Sequence, residues 1–387
     1  MNIDKLNVRL AAFVVGGLLS LPWYGLGLVL QSMKLLIAAF LLTYAFMPAV
    51  IWLANRLGAV DIPDARRVHR QATPRIGGLA VFLSVNITLL LNFNYSVELK
   101  AICISGALVA ALSMWDDVRG LSAPIKLAGQ LIAIGILFQS GLVLEFGLDG
   151  HLISLLGPDW GITLGFFLEY LITAVWIIGI ANAFNFLDGI NGLAAALAAA
   201  VCLLMGLLAA STAQLYMLLL CLAVAGSSLG FLPDNARYVR TARAFLGDTG
   251  SIYLGWMMAG IAVMGEWSDA SSLNAYAAPL LIFSVMIFDM IYTTVARIHR
   301  GDVTSVRTWV SYVGRDHLHH RLMYLGLTQK QTVVAVVGIA LCSGLAALAM
   351  IHAGPLTVTL LLGQSVVLYL LLSALMVLAA KRLEEGE

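Results

Sequence analysis

Two apolar stretches decide the fold class of this chain: GITLGFFLEYLITAVWIIGIANA at residues 161–183 and GINGLAAALAAAVCLLMGLLAA at residues 189–210. Each is long enough, at 1.5 Å per residue, to cross a bilayer as one helix. Only the short segment FNFLD separates them. The pair therefore predicts two successive membrane helices joined by a polar turn.

Similar apolar runs recur along the whole chain. Of its 387 residues, 61% are hydrophobic and 11% are charged, whereas soluble domains carry roughly 25% charged residues. We predict an all-α, polytopic membrane helix bundle with eleven core transmembrane helices and one additional N-terminal helix. The predicted spans are 10–31, 35–55, 76–94, 99–115, 125–142, 161–183, 189–210, 214–231, 249–265, 274–296, 331–351 and 356–380.

The first 34 residues allow two interpretations. Lys5 and Arg9 precede the apolar stretch 10–30, as in a signal peptide. The stretch is long, however, and no small-x-small cleavage site follows it closely. We favour a retained membrane segment over residues 1–34, followed by one membrane domain over residues 35–387.

Basic residues indicate the orientation of the chain. The segments 1–9, 56–75, 116–126, 232–248, 297–330 and 381–387 fall on one predicted side and hold 20 of the 22 Lys and Arg residues. Because cytoplasmic loops are enriched in Lys and Arg, we expect these segments and both termini to be cytoplasmic. The sequence thus predicts a multi-pass inner-membrane protein, and its net charge of +1 gives no basic field for nucleic acid.

The unusual polar clusters all lie on this predicted cytoplasmic face. Asp116 and Asp117 follow an apolar run, and adjacent carboxylates at a membrane boundary favour a nearby cation. The alternative is a solvated loop start.

A second cluster, NAFNFLDGINGL at 182–193, carries Asn182, Asn185, Asp188 and Asn191. The first three side chains recur every third residue, so they share a face of a helical turn. A packing function would require apolar residues here, so we interpret this cluster as part of a binding site.

The third cluster, FLGDTGS at 245–251, precedes an apolar helix. A glycine-containing turn at a helix N-terminus directs N–H groups at an anion. The alternative is that Thr249 or Ser251 is only an N-cap. Asp248 is a candidate Mg²⁺ ligand, since Mg²⁺ uses one or two protein oxygens together with substrate phosphates.

The 297–330 segment concentrates arginine and histidine, among them Arg297, Arg315, Arg321 and the run HLHH at 317–320. Zinc would need a further ligand, and the flanking arginines oppose a dication. Contacts to a diphosphate or a sugar fit this composition better than zinc or a merely solvated loop.

The segment DARRVHRQATPRIGG at 64–78 is basic, as the topology alone would require. Its paired glycines also favour close helix packing or lipid entry.

Asp289, inside the predicted span 274–296, is a functional candidate because intramembrane carboxylates are costly.

In chain order, these motifs resemble the polyprenyl-phosphate N-acetylhexosamine-1-phosphate transferases, or glycosyltransferase family 4. The matching stretches are TPRIGGL at 73–79, WDD at 115–117, NAFNFLDGINGL at 182–193, FLGDTGS at 245–251 and RDHLHH at 315–320. The resemblance covers about residues 35–380 and is nearest to the bacterial undecaprenyl-phosphate GlcNAc-1-phosphate branch. HLHH differs from the triple histidine of the muramoyl-pentapeptide branch.

The resemblance implies transfer of a sugar 1-phosphate from a UDP-sugar to polyprenyl phosphate, with release of UMP, at a cytoplasmic site that depends on Mg²⁺ or alternatively Mn²⁺. It implies a catalytic pair, Asp116 and Asp117, and metal ligands, Asn185 and Asp248. The implied substrate-binding residues are Lys126, Asp188, Asn191, Asn235, Phe245, Arg315, His317, His319 and His320, and the lipid-phosphate candidates are His69, Thr73 and Arg75. Lys126 resembles a diphosphate contact, and Phe245 resembles an aromatic ring that stacks on uracil.

Three questions stay open at the level of sequence. Asp117 resembles a base, a covalent nucleophile or an organiser of metal and lipid phosphate. The segment between Gly301 and Arg315, which helps to choose the donor, departs from the family pattern. The alternative function is a secondary transporter of an anionic lipid or nucleotide sugar, although transporters place their sites at the midplane between repeats. A homodimer is a further possible assembly.

Overall fold

The computed structural model describes residues 3–21, 27–61, 72–92, 96–238, 241–267, 272–305, 308–309, 312 and 314–385. These residues form fifteen helices and one short antiparallel ladder. The helices are α1 (Ile3–Ser20), α2 (Leu28–Leu57), α3 (Gly78–Asn92), α4 (Val97–Arg119), α5 (Ala123–Gln139), α6 (Leu148–Leu156), α7 (Pro158–Leu187), α8 (Leu193–Ser211), α9 (Leu215–Asn235), α10 (Gly247–Met264), α11 (Ser272–Ile282), α12 (Ser284–Arg300), α13 (Leu318–Tyr324), α14 (Gln329–Met350) and α15 (Pro355–Glu385). The strands are β1 (Val60–Asp61) and β2 (Thr73–Pro74).

The predicted fold class, an all-α polytopic membrane bundle, is confirmed. Seven helices of the described chain are long and apolar enough to cross a membrane, and the bent pair α11–α12 makes up to eight. The other predicted spans correspond to α10 and to the shorter apolar helices α1, α3 and α5. Length and composition therefore support fewer spans than the twelve predicted.

Several predicted boundaries differ from the observed ones. The predicted span 10–31 is wrong as a single helix: α1 ends at Ser20 and α2 begins at Leu28. The intervening sequence contains Pro22, Gly25 and Gly27, which disfavour a continuous helix. The predicted domain boundary at residue 34 consequently falls inside α2.

The predicted span 274–296 is also broken. Its two halves, α11 and α12, meet at Phe283 with a bend of 71°, and Pro279 in α11 lacks the N–H that a straight helix would use. Two segments predicted as loops contain short helices, α6 within 142–161 and α13 within 297–330.

Helix α10 forms the centre of the bundle, packed against α3, α4, α7, α8 and α9. Its side chains from Thr249 to Ala262 are all buried, including Tyr253 and Trp256. A Cβ at Gly78, in α3, would lie 2.1 Å from the Cα of Gly250. Of the two interpretations of the paired glycines, close packing is therefore the observed one.

Candidate active site

A cavity of about 760 Å³ lies at the end of the bundle where α7 and α9 end and α10 begins. It is lined by Asp61, Arg75, Asn185, Asp188, Gly189, Ile190, Asn191, Asn235, Arg237, Tyr238, Thr241, Ala242, Phe245, Gly247, Asp248, Arg315, His320, Met323, Tyr324 and Gln329. Nine of the residues predicted for the site are in this set. The volume suits a ligand of nucleotide size.

Asp248, in the first turn of α10, links two sides of the cavity. Its Oδ1 accepts a hydrogen bond from Asn185 Nδ2 at 3.0 Å, and its Oδ2 lies 2.8 Å from Lys126 Nζ. Asn185 Nδ2 also donates to Ser251 Oγ at 2.7 Å. Helices α5 and α7 thus contribute one polar group each, and α10 contributes two, to a single cluster. Asn182, three residues earlier on α7, instead donates to Gln130 at 3.0 Å.

Asp116 lies on the side of α4 that faces Lys126. Its Oδ2 is 2.5 Å from Lys126 Nζ, and its Oδ1 accepts a hydrogen bond from the backbone N–H of Leu121 at 2.5 Å. Lys126 therefore bridges the carboxylates of Asp116 and Asp248 from outside the cavity lining. The cation expected beside the Asp116–Asp117 pair is this lysine.

Asp117 faces a different neighbour, the N-terminus of α10. Its carboxylate accepts hydrogen bonds from the backbone N–H groups of Asp248 (3.2 Å) and Thr249 (2.9 Å) and from Thr249 Oγ1 (2.7 Å). The first turn of a helix has unpaired N–H groups and a positive dipole end. The Asp117 side chain, which is fully buried, satisfies them, and Arg75 lies 3.9 Å away.

Asp188 follows the last turn of α7 and lines the cavity. Burial raises the pKa of Asp188 well above its ordinary value, and the negative charges of Asp248 and Asp117 raise it further. Lys126 pairs with Asp116 and Asp248, and Arg75 lies 3.9 Å from Asp117. With Asp188, four carboxyl groups lie at this end of the bundle beside these two basic side chains, so the site favours an additional cation.

The strand β2 and the segment before α10 form one wall of the cavity. Phe245 donates its backbone N–H to Pro74 O at 2.8 Å, and Gly77 donates to Phe245 O at 2.9 Å. Arg75 lines the cavity, whereas the Thr73 side chain is buried in β2, away from the lining. His69 lies outside the described residues.

Asn235 is both a lining residue and a structural connection. Its Oδ1 accepts a hydrogen bond from Gly192 N at 2.6 Å, and its Nδ2 donates to Ala244 O at 3.0 Å. Asn235 therefore ties the turn that carries Asn191 to the segment that carries Phe245.

Of the three histidines in the HLHH run, only His320 lines the cavity. His317 is buried, with its Nδ1 2.7 Å from Asp289 Oδ2 and its ring stacked on Phe186 at 5.1 Å. Asp289 also accepts a hydrogen bond from the backbone N–H of Leu318 at 2.6 Å, at the start of α13. Asp289, a functional candidate by sequence, therefore orients His317 and α13.

His319 is buried, and neither of its ring nitrogens has a hydrogen-bond partner within the described chain. Burial, with the charges of His320 and His317, lowers the pKa of His319 well below its ordinary value. Burial lowers the pKa of His320 to about 4, with contributions from His317 and Arg315. In the described residues, no group of three or more His, Cys, Asp or Glu side chains is arranged to hold a metal ion, the HLHH run included.

Three described arginines of the 297–330 segment differ in what they contact. Arg315 lines the cavity. Arg297 instead binds Asp316 through two hydrogen bonds of 2.9 and 2.6 Å, and Arg321 donates to the backbone oxygens of Asp316 and Met376. These buried contacts hold the segment together, so Arg297 and Arg321 do not face the cavity.

Sequence reasoning missed part of the lining. Arg237 and Tyr238 belong to the polar stretch after Asn235, which is a signal that could have found them. Tyr324 and Gln329 lie near the ends of α13 and α14, where no local pattern marks them. Ser251, considered above only as a helix cap, contacts Asn185.

The arrangement is suited to a divalent cation and a phosphorylated ligand. Asn185 and Asp248 provide adjacent oxygen-bearing side chains at the cavity surface, which matches the small number of protein ligands that Mg²⁺ uses. Arg75 and Arg315 add positive charge to the lining, and Phe245 and Tyr238 add aromatic surface.

Comparisons with known proteins agree with this chemistry. Residues 99–266 match the model of glycosyl transferase family 4. A Bacillus subtilis (strain 168) protein named "Probable undecaprenyl-phosphate N-acetylglucosaminyl 1-phosphate transferase" is 32% identical over 301 residues, which cover 78% of this chain and 79% of that protein. The decaprenyl-phosphate N-acetylglucosaminephosphotransferase of Mycobacterium tuberculosis (strain ATCC 25618 / H37Rv) is 33% identical over 352 residues, 84% of each chain. The undecaprenyl-phosphate alpha-N-acetylglucosaminyl 1-phosphate transferase of Yersinia pestis is 28% identical over 303 residues, 78% of this chain and 79% of that one.

Proposed function

This chain belongs to glycosyl transferase family 4, and from that membership we propose that it transfers N-acetylglucosamine 1-phosphate from UDP-N-acetylglucosamine to a polyprenyl phosphate, releasing UMP. The product is the lipid-linked sugar from which a cell-envelope glycan is built. This membership argues against the secondary transporter considered from the sequence.

The observation that carries the proposal is the cluster of Asn185, Asp248 and Lys126 beside a cavity of about 760 Å³. Acidic, amide and cationic groups meet there at the surface of a nucleotide-sized space. Phosphoryl transfer needs mainly positioning and neutralisation of charge, and these side chains supply both.

The donor nucleotide occupies the wall formed by Phe245 and Asn191, with the Phe245 ring against uracil. Asn235 contributes by fixing both parts of this wall. Arg315 and His320, which also line the cavity, contact the diphosphate and the sugar. The low pKa of His320 keeps its ring neutral at neutral pH, so it acts as a hydrogen-bonding group. His317 and His319 are buried next to His320 and support its position.

Asn185 and Asp248 are the residues that would hold Mg²⁺ or Mn²⁺. When bound, the cation supplies neutralisation of the donor diphosphate charge. Lys126, outside the lining, lies 2.8 Å from Asp248 Oδ2 and so restricts the position of this carboxylate. Asp188, beside them, holds a proton more readily than an ordinary carboxyl.

In the reaction, an oxygen of the polyprenyl phosphate bonds to the sugar-side phosphorus, and the bond from that phosphorus to the bridging oxygen breaks, leaving UMP. The lipid phosphate has a second pKa of about 6, so it is largely dianionic at neutral pH and a general base is only partly needed. The hydrogen bonds of Asp117 to α10 favour the organiser among its three proposed roles. Arg75, at the cavity surface near Asp117, is positioned to receive the lipid phosphate.

The predicted membrane arrangement belongs to the same proposal. Twelve spans arise if α1, α3, α5 and α10 cross the bilayer in addition to the longer helices and the bent pair. The charge distribution then puts the cavity at the cytoplasmic face of the inner membrane. Assembly as a homodimer stays a prediction.

The test is UMP release by purified protein supplied with polyprenyl phosphate, Mg²⁺ and a panel of UDP-sugars. We expect UMP release with UDP-N-acetylglucosamine that depends on the lipid, and less with other UDP-sugars. UMP release that does not require polyprenyl phosphate would contradict a transferase and indicate a hydrolase.

A further inference from the structure

Arg9 in α1 makes a buried ion pair far from its own position in the sequence. Its Nη2 donates to both carboxylate oxygens of Asp234 at 2.8 Å, and its Nη1 donates to Tyr44 O at 2.9 Å. The Arg9 and Asp234 side chains are 6% and 1% exposed. A buried charge is costly unless it is paired and hydrogen-bonded, so this contact ties α1 to the end of α9.

Asp234 holds a second arginine, Arg243. Arg243 Nη1 lies 2.8 Å from Asp234 Oδ1, and the backbone N–H of Arg243 donates to Asp234 O at 2.8 Å. The described residues between α9 and α10, 236–238 and 241–246, are named here the donor wall. Asp234, in the last turn of α9, therefore ties Arg243 of the donor wall to Arg9 of α1.

The neighbouring residue Asn235 connects the same point to the cavity turn, through Gly192 N and Ala244 O. Gly192 has a φ of 83°, and a Cβ there would lie 2.7 Å from the Tyr238 hydroxyl. The donor wall and the turn that carries Asn191 are thus closely packed against each other. Five donor-wall residues line the cavity: Arg237, Tyr238, Thr241, Ala242 and Phe245.

We propose that Arg9 is a positioning residue for the donor nucleotide, because its ion pair with Asp234 fixes the donor wall from the N-terminal helix. The inference rests on the proposed function, and it makes α1 a part of the donor site. Removing the Arg9 charge takes away the tie from α1, while Arg243, Asn235 and the hydrogen bonds of Phe245 to Pro74 and Gly77 still hold the donor wall. We therefore expect nucleotide binding to weaken without being lost, and the lipid-phosphate side, near Arg75 and Asp117, to change little.

The test compares Arg9→Met, which keeps the apolar volume, with the conservative Arg9→Lys. We expect Arg9→Met to raise the KM for UDP-N-acetylglucosamine about 10-fold and to leave the KM for polyprenyl phosphate within about twofold. Arg9→Lys, which keeps the charge, recovers most of the affinity for the donor. Calorimetric titration of UMP gives the same ranking without turnover.

Lys34→Met is the matched control. Lys34 holds the other end of α1, with its Nζ 2.8 Å from Leu21 O and 2.9 Å from Asn92 Oδ1. The Lys34→Met variant should have a lower Tm and an unchanged KM for the donor. If its donor KM rises as much as that of Arg9→Met, general loosening of α1 is the cause and the inference is wrong.

The variants Arg9→Met, Asp234→Asn and the double variant form a cycle that tests whether Arg9 acts through Asp234. Because Asp234 also holds Arg243, we expect Asp234→Asn to raise the donor KM at least as much as Arg9→Met, and we expect the double variant to be no worse than Asp234→Asn alone. Additive effects of the two substitutions on the donor KM, or a donor KM that does not rise in Arg9→Met, overturn the inference. A parent protein that binds UMP but transfers no sugar phosphate overturns the proposed function instead.

Discussion

Among single residues, Asp248 connects the largest number of functional groups, since it contacts Asn185 and Lys126 and is capped together with Thr249 by Asp117. We predict that Asp248→Asn lowers turnover by several orders of magnitude at any practical Mg²⁺ concentration, because it removes the charged metal ligand. Asn185→Ala should be milder and partly rescued by added Mg²⁺. Titrating Mg²⁺ against UMP release for the parent and both variants gives the comparison.

The metal assignment fails if Asp248→Asn keeps full activity, or if the parent stays active in excess chelator. Asn182→Ala is a control from the same helix, since the Asn182 amide donates to Gln130 rather than to Asp248. Its dependence on Mg²⁺ should match that of the parent.

Phe245 tests the donor assignment, because its ring lines the cavity while its backbone is fixed to Pro74 and Gly77. Phe245→Ala should weaken UDP-sugar binding by about 1–3 kcal/mol, the range for stacking of a base on an aromatic ring. The apparent affinity for polyprenyl phosphate should barely change. Titration with each substrate distinguishes the two, and an equal loss for both would mean that Phe245 only packs the segment.

Asp316 gives a pH-dependent prediction. Although burial alone would raise its pKa, hydrogen bonds and charge from Arg297 and Arg300 lower the pKa of Asp316 to about 2. A carboxyl with a depressed folded-state pKa contributes stability above its unfolded value near 3.8, and that contribution is lost as pH falls toward 2. Asp316→Asn should therefore cost roughly 1–2 kcal/mol at neutral pH. The Tm difference between Asp316→Asn and the parent should be constant from pH 8 to 5 and should shrink only below about pH 4. A Tm difference that vanishes near pH 6 would contradict this ion pair.

At the scale of elements, the start of α10 is arranged around Asp117, whose carboxylate caps the first turn. Asp117→Asn replaces one of the two accepting carboxylate oxygens by an amide NH2 group, which cannot accept a hydrogen bond from the N–H groups of α10. We expect turnover to fall by more than about 100-fold and stability by about 0.5–2 kcal/mol, the cost of a lost cap, while Mg²⁺ and donor still bind together. Thermal unfolding, donor titration and UMP release measured on one preparation provide the test. A trapped phosphorylated Asp117 in the parent would show a covalent nucleophile instead.

For the whole molecule, the charge distribution predicts that both termini lie on the cytoplasmic side. A reporter fused after Glu387 and another fused before Met1 should both report the cytoplasm. If only the N-terminal fusion reports the opposite side, the predicted first span is wrong while the rest of the arrangement survives. A C-terminal fusion outside the cytoplasm would contradict the orientation of the active site.

The sequence by itself determined the fold class and nine of the residues that line the cavity. Apolar runs of about 20 residues are a local property, so they are visible without knowledge of any contact. The site residues Asn185, Asn191, Phe245, Asp248 and Arg315 were found in the same way, because polar motifs beside apolar runs stand out and resemble a known family.

Only the tertiary structure decided which way those side chains face. Asp116 and Asp117 are adjacent in sequence, yet one binds Lys126 of α5 and the other caps α10. Likewise, His317 packs on Asp289, whereas His320 reaches the cavity. Arg9 meets Asp234 across 225 positions of sequence. Such contacts depend on how each helix is rotated and where it ends against its neighbours, and packing between distant segments sets both, so no local pattern in the sequence records them.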